Sequence, residues 1–228
     1  IQKKDLLGLL SRTQNIVEKR NTMPILVNVL LETQGNFLKA YATDLEVSLT
    51  DSVPVQVKAP GKVAVSTKNL FDITKELLDG PISLIKKENN WLEIKQGKFL
   101  SKIIGVSADE YPVFPTYNSE NFSKVNASDF KYMIDKTIYS VSNDETRYHL
   151  NGVYFEKQEK DLITMVATDG HRLSLVKRQF KNLSMGEKVG VIIPKKGLFE
   201  IKKLIESTVD DVHVAVEGSQ FILKSGTC

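Results

Sequence analysis

The residues that could do chemistry sit in two short matching runs. Ala42-Thr43-Asp44 recurs as Ala167-Thr168-Asp169, and the second copy continues through Gly170, His171, Arg172 and Leu173. Asp169 with His171 is the nearest thing here to an acid–base or metal-binding pair. A metal-dependent nuclease needs carboxylates clustered around two ions. Asp44 and Asp169 stand about 125 residues apart in equivalent contexts, which favours a turn role in each copy over one shared site. His149, His171 and His213 show no zinc-ligand spacing. A Walker-type phosphate loop and a Gly-x-Ser-x-Gly elbow are both absent from the sequence. No catalytic residue, metal site or cofactor is assigned.

Charge narrows the partners. The chain carries 31 Lys and Arg against 28 Asp and Glu, a net charge of +3. Residues 1–124 hold 16 basic and 14 acidic side chains, and the remainder 15 and 14. Tight, non-specific nucleic-acid binders are far more basic. If DNA is a partner, the contact is loose or the charge is segregated by face. The lone cysteine, Cys228, excludes an intramolecular disulfide and a cysteine metal cluster, and fits a reducing compartment. The most apolar run, residues 25–31, is too short to span a bilayer.

The elements that must position these residues alternate between two periods. Apolar spacing predicts helices over residues 5–20, 68–78, 129–141 and 195–205. Strands are predicted at residues 25–31, 37–49, 53–57, 63–65, 82–85, 91–94 and 99–106, and again at 150–156, 188–193, 212–216 and 220–223. Asp169-Gly170, between the apolar runs of residues 165–176, is a hairpin signal, because Gly supplies the positive φ of such a turn. On these residues alone Asp169-Gly170 is a turn and Leu173 a core position. Residues 107–124, broken by Pro112 and Pro115, read as a linker.

The order of elements repeats. Asp5-Leu6 faces Asp129-Phe130, and residues 28–32 face 152–156. The two Ala-Thr-Asp runs face each other, and Lys68-Asn69-Leu70-Phe71 faces Lys196-Gly197-Leu198-Phe199. A constant order at near-constant offset is duplication of a whole domain, larger than a solenoid unit of about 20–50 residues. The expected domains are 1–122 and 123–228. The first would begin inside its opening strand, and the second would lack its last strands.

These residues resemble a known family. Pro24-Ile25-Leu26, Ala42-Thr43-Asp44-Leu45-Glu46, Phe71-Asp72-Ile73, Leu150-Asn151-Gly152, Thr168-Asp169-Gly170-His171-Arg172-Leu173 and Pro194-Lys195-Lys196-Gly197 together look like the bacterial DNA polymerase III beta subunit, the replication sliding clamp. The likeness covers essentially the whole chain, and the Thr-Asp-Gly-His-Arg-Leu run is its most specific piece. It implies an α+β DNA-clamp fold of tandem duplicated domains, each with two helices packed on antiparallel β-sheets. A third domain would be absent from this chain.

The resemblance further implies a cytoplasmic, non-catalytic accessory subunit. Two full-length copies would close into a homodimeric ring around duplex DNA without reading sequence. The ring would tether the polymerase III catalytic subunit, the clamp loader and other proteins bearing clamp-binding peptides. By resemblance, Arg20, Lys68, Tyr148, His149 and Lys196 face DNA; His149 stands where the family often has Tyr. Leu150, Thr168, Gly170, His171, Arg172 and Leu173 would form part of a peptide-binding pocket, completed from beyond residue 228. Amphipathic helices carrying Arg12, Lys75, Lys131, Lys136, Lys202 and Lys203 would line the hole. Mild basicity suits a ring that must slide, since strong phosphate contacts act as brakes. Two other classes stay open on the residues alone: a metal-dependent nuclease, and a β-rich scaffold that binds peptides without encircling DNA.

Overall fold

The computed structural model describes residues 1–17, 23–118, 121–144, 146–159, 161–186, 188–206 and 211–228. The chain forms two compact units: residues 1–115 with 227–228, and residues 116–226.

Unit 1 opens with α1 (Lys3–Gln14), which buries Leu6, Leu9, Leu10 and Thr13. That is the i, i+3, i+4, i+7 stripe of a helix with one face on a core. Strands β1 (Asn28–Gln34), β2 (Phe37–Thr43), β3 (Ser48–Pro54), β4 (Lys62–Ser66) and β8 (Gly105–Val106) make an antiparallel sheet in the order β3-β2-β1-β4-β8. Strands β5 (Ser83–Lys86), β6 (Leu92–Gln96) and β7 (Phe99–Ile103) make a second sheet. Helix α2 (Thr67–Glu76) packs beside α1. Its first turn is capped by the Ser66 hydroxyl, which accepts from Asn69 N. Leu9, Leu10, Val29, Val65, Leu70 and Ile94 are fully buried between helices and sheets.

Unit 2 repeats the plan. Helix α3 (Ala127–Asp135) buries Phe130, Met133 and Ile134, and α4 (Lys195–Glu206) buries Leu198 and Ile205. Strands β10 (Gly152–Glu159), β11 (Leu162–Thr168), β12 (Leu173–Gln179) and β13 (Val189–Pro194) form a sheet in the order β12-β11-β10-β13. Strands β9 (Ser123–Val125), β14 (Val212–Glu217) and β15 (Gln220–Lys224) form the other, in the order β15-β14-β9. The Phe155 and Phe221 rings meet at 5.1 Å, and Phe130 stacks on Phe221 at 5.9 Å, at the centre of this core.

Several expectations are corrected. Helix α1 ends at Gln14 and α3 at Asp135, both well short of their apolar runs. The same residue type sits at both ends. The buried Thr13 hydroxyl donates to Leu9 O and Leu10 O, and the Thr137 hydroxyl to Met133 O and Ile134 O. Such back-bonding competes with the helical ladder. The predicted strand at 25–31 begins as a 3-10 turn, Pro24–Val27, because proline favours a helical first position. The predicted strand at 99–106 divides between the two sheets at Gly105. A Cβ on Gly105 would lie 2.4 Å from Asn90 O and 2.8 Å from Ala64 O, so only glycine lets the chain cross there. The expected linker is partly docked: the buried Tyr111 hydroxyl donates to Asn28 O at 3.0 Å and to Tyr41 O at 3.2 Å. Phe199, one of the apolar residues of α4, is 46% exposed.

Candidate functional site

The repeated Ala-Thr-Asp motif closes a hairpin in each unit. Thr43 pairs with Ser48 across β2 and β3, and Thr168 pairs with Leu173 across β11 and β12. The intervening loops share one hydrogen-bond scheme. Asp44 Oδ1 accepts from Glu46 N at 3.0 Å and Val47 N at 2.7 Å. Asp169 Oδ1 accepts from His171 N and Arg172 N, each at 3.0 Å. The Thr43 hydroxyl accepts from Leu45 N and donates to Val47 O. The Thr168 hydroxyl accepts from Gly170 N and donates to Arg172 O. The residue after each aspartate is left-handed, with φ +79° at Leu45 and +91° at Gly170.

Both aspartates are therefore occupied with holding turns. The His171 and Arg172 amides, with the Arg172 guanidinium, keep the Asp169 carboxyl below its ordinary pKa. Among the described residues no group of His, Cys, Asp and Glu is arranged to hold a metal ion.

Residues 139–144 and 146–150 bond to one another and to the unit 2 hairpin. Arg172 Nη2 donates to Tyr139 O at 2.7 Å, and the buried Ser140 and Ser174 hydroxyls share a bond of 2.6 Å. Ser142 N donates to Leu150 O, and Leu150 N to Arg147 O. Arg147, ion-paired with Asp144 at 3.3 Å, reaches the loop tip: a Cβ on Gly170 would sit 3.6 Å from its Nη1. Arg147 thus connects half-buried Leu150, from whose amide it accepts, to the loop tip at Gly170, while His171 and Arg172 are exposed on the loop itself. Leu173 is 64% exposed, so it is not core. The Thr168 hydroxyl serves the loop itself. Arg147 was missed by sequence reading, because its approach to Gly170 crosses between loops and leaves no local signal.

The candidate DNA-facing residues fall in three settings. Lys68 is exposed in the first turn of α2, whereas Lys196, in the first turn of α4, is half-buried. Tyr148 is 80% exposed, and its ring meets the exposed His149 edge-on at 5.6 Å. Arg20 lies outside the described residues.

The helix-face cations are less open than their spacing implies. Arg12 Nε lies 2.5 Å from the fully buried Asp51 carboxylate. Lys131 pairs with Glu206 at 2.9 Å, Lys202 with Asp135, and Lys203 with Glu200 at 2.7 Å. The first two of these unit 2 pairs link α3 to α4 and run in opposite chain directions, so those helices are antiparallel.

Residues 1–115 match the N-terminal domain of the DNA polymerase III beta subunit, and residues 124–228 match its central domain. The chain belongs to that family. A Rickettsia felis beta sliding clamp is 34% identical over 236 residues, covering 100% of this chain and 60% of the relative. A Pseudomonas aeruginosa beta sliding clamp is likewise 34% identical, with 100% and 61% covered. The crystal structure of a Caulobacter crescentus beta sliding clamp superposes with a TM-score of 0.92 at 33% identity, covering 100% of this chain and 62% of that one. The chain therefore spans about 60% of the length of the curated relatives it matches. The α+β clamp fold follows from these likenesses together with the four α-helices on antiparallel sheets among the described residues. Among the described residues no helix is long and apolar enough to cross a membrane.

Proposed function

We propose that the chain supplies the N-terminal and central domains of a sliding-clamp subunit, and that the whole protein is a non-catalytic, cytoplasmic processivity factor. Two full-length copies close head to tail around duplex DNA and tether polymerase III, the clamp loader and other DNA enzymes. The observation that carries this reading is the repeat of one plan, two helices on two antiparallel sheets, within a chain of this family. Ring closure needs a heterologous contact that closes. Exposed Phe99, Leu100 and Ile104, with a hollow beside α2 lined by Ile73, Trp91 and Lys102, offer unit 1 a surface for such a contact.

Arg20, Lys68, Tyr148, His149 and Lys196 meet the duplex. Phosphate contacts position DNA without reading sequence, and lysines already paired with carboxylates grip phosphate weakly. Retention is then topological and sliding is free. Leu150, Thr168, Gly170, His171, Arg172 and Leu173 supply this chain's share of the peptide pocket. The exposed Leu173 and half-buried Leu150 take apolar anchors, while the exposed Arg172 guanidinium orients the peptide backbone. The test is primer extension on a long circular template with full-length protein, clamp loader and polymerase. Longer products are expected, and stable retention on circular but not linear duplex. Equal retention on both forms would refute encirclement.

A further inference from the structure

We propose that the outward face of the β5-β6-β7 sheet in unit 1 docks an acidic segment of a partner protein. Residues 82–106, which carry this sheet, hold five lysines and two glutamates, and so account for the whole net charge of +3. Leu92, Ile94 and Ile103 turn into the core of the unit. Side chains alternate along a strand, so Ile85, Glu93, Lys95, Leu100 and Lys102 share the opposite face. In register, Glu93 stands between Ile85 and Lys102, and Lys95 stands beside Leu100.

Glu93 lies at the centre of that face and is only 4% exposed. Three ammonium groups converge on it. Lys95 Nζ is 2.8 Å from Oε1, Lys87 Nζ is 3.8 Å from Oε1, and Lys102 Nζ is 3.8 Å from Oε2. Lys95 above all, with the charges of Lys87 and Lys102, holds the Glu93 carboxyl below the ordinary carboxylate range, so it stays ionised. One carboxylate against three cations leaves the face positive, and the three lysines remain about half exposed.

A solvated lysine loses rotamer freedom when it binds. Here the central carboxylate has already gathered the three, so an incoming carboxylate meets them in place. Exposed Trp91 and Leu100 border the lysines. That border suits an acidic segment with interspersed apolar side chains better than it suits a phosphate backbone. Two copies of this face would set like charge against like, so the occupant is a different chain. Lys95 lies on β6 and Lys87 just after β5, with β7 between them and the edge offered for ring closure. Docking and ring closure are therefore separable.

Fluorescence anisotropy of a short labelled peptide of repeated Glu-Glu-Leu, titrated with the full-length protein at low salt, tests this, with the mass of the assembly measured in parallel. Lys87→Ala and Lys95→Ala are each expected to weaken binding about two- to fivefold, the size of one exposed ion pair. Lys87→Arg and Lys95→Arg keep the charge and should bind normally. Binding should also fall as salt rises, while the mass of the assembly stays the same in every variant. Unchanged peptide binding in both alanine variants would overturn the proposal. So would equal binding of a Lys-Lys-Leu peptide, or variant-sensitive binding of oligothymidine in place of the acidic peptide. Loss of the assembly together with peptide binding would also overturn it, by returning these lysines to ring closure. Lysine-dependent peptide binding by a protein that forms no ring would support docking and refute ring closure alone.

Discussion

The twin hairpins permit a test at one residue. Leu45 and Gly170 occupy the same loop position, both left-handed, yet one carries a side chain. An L-residue there costs about 1–2 kcal/mol through the clash of Cβ with the following carbonyl. Glycine escapes that clash but loses more backbone freedom on folding, about 0.5–1 kcal/mol relative to alanine. The Leu45 side chain is 61% exposed, so truncation removes only part of a leucine's burial. Comparing Leu45→Ala with Leu45→Gly cancels that shared loss. Glycine should be the more stable variant by roughly 0.5–1 kcal/mol, the reverse of their order in an ordinary strand.

Unit 1 contains Trp91, the only tryptophan of the chain, so its fluorescence follows the unfolding of that unit. A urea slope of about 2 kcal/mol/M places the glycine midpoint ~0.25–0.5 M above that of alanine. A midpoint order of alanine above glycine would show that Leu45 is not strained, and the structural equivalence of the two loops would fail with it. The reciprocal change, Gly170→Ala, should destabilise the hairpin of unit 2, read as faster amide exchange through β11 and β12.

Three other perturbations probe the fold and the site. Gly105→Ala forces a methyl into the Asn90 and Ala64 carbonyl oxygens and should lower unit 1 stability by about 1–3 kcal/mol, measured by the same Trp91 titration. Thr137→Val removes a buried hydroxyl that bonds two α3 carbonyls and should cost about 1 kcal/mol, seen as a lower thermal midpoint. Asp169 is held below its ordinary pKa by the His171 and Arg172 amides. Its contribution is therefore present above the unfolded carboxylate value, about 3.9, and is lost as pH falls through the lower folded value. The His171 and Arg172 amide signals should lose protection only on that acid side, and Asp169→Asn should flatten the dependence.

Much of this architecture was legible because helices and strands announce their buried faces locally. Leu6, Leu9 and Leu10, or Phe130, Met133 and Ile134, mark α1 and α3 by spacing alone, and the repeat of Ala-Thr-Asp marks the two hairpins. What escaped depends on contacts between distant residues. Ile16 and Ile138 continue the helical period, so nothing local says that Thr13 and Thr137 turn their hydroxyls back and end the helix. Gly105 reads as one more strand residue until the Asn90 carbonyl is seen against it. Lys131 and Lys202 read as open cations, because their partners Glu206 and Asp135 lie on the other helix.

The same comparison locates the candidate peptide site in side chains and not in backbone. Both loops share their aspartate, threonine and left-handed residue, so the scaffold is common to the two units. The differences are Leu45 for Gly170, Glu46 for His171, Val47 for Arg172 and Ser48 for Leu173. Arg172 spans the gap to the Tyr139 carbonyl and is flanked by the exposed Leu173. Val47 has no donor that could make such a bridge, and Ser48 turns its hydroxyl back to Thr43 at 2.8 Å. A ligand that needs an apolar anchor beside an oriented guanidinium finds both on unit 2 and neither on the unit 1 loop. Duplication supplied the same hairpin scaffold twice, and substitution at four loop positions separates a bare turn from the candidate recognition surface.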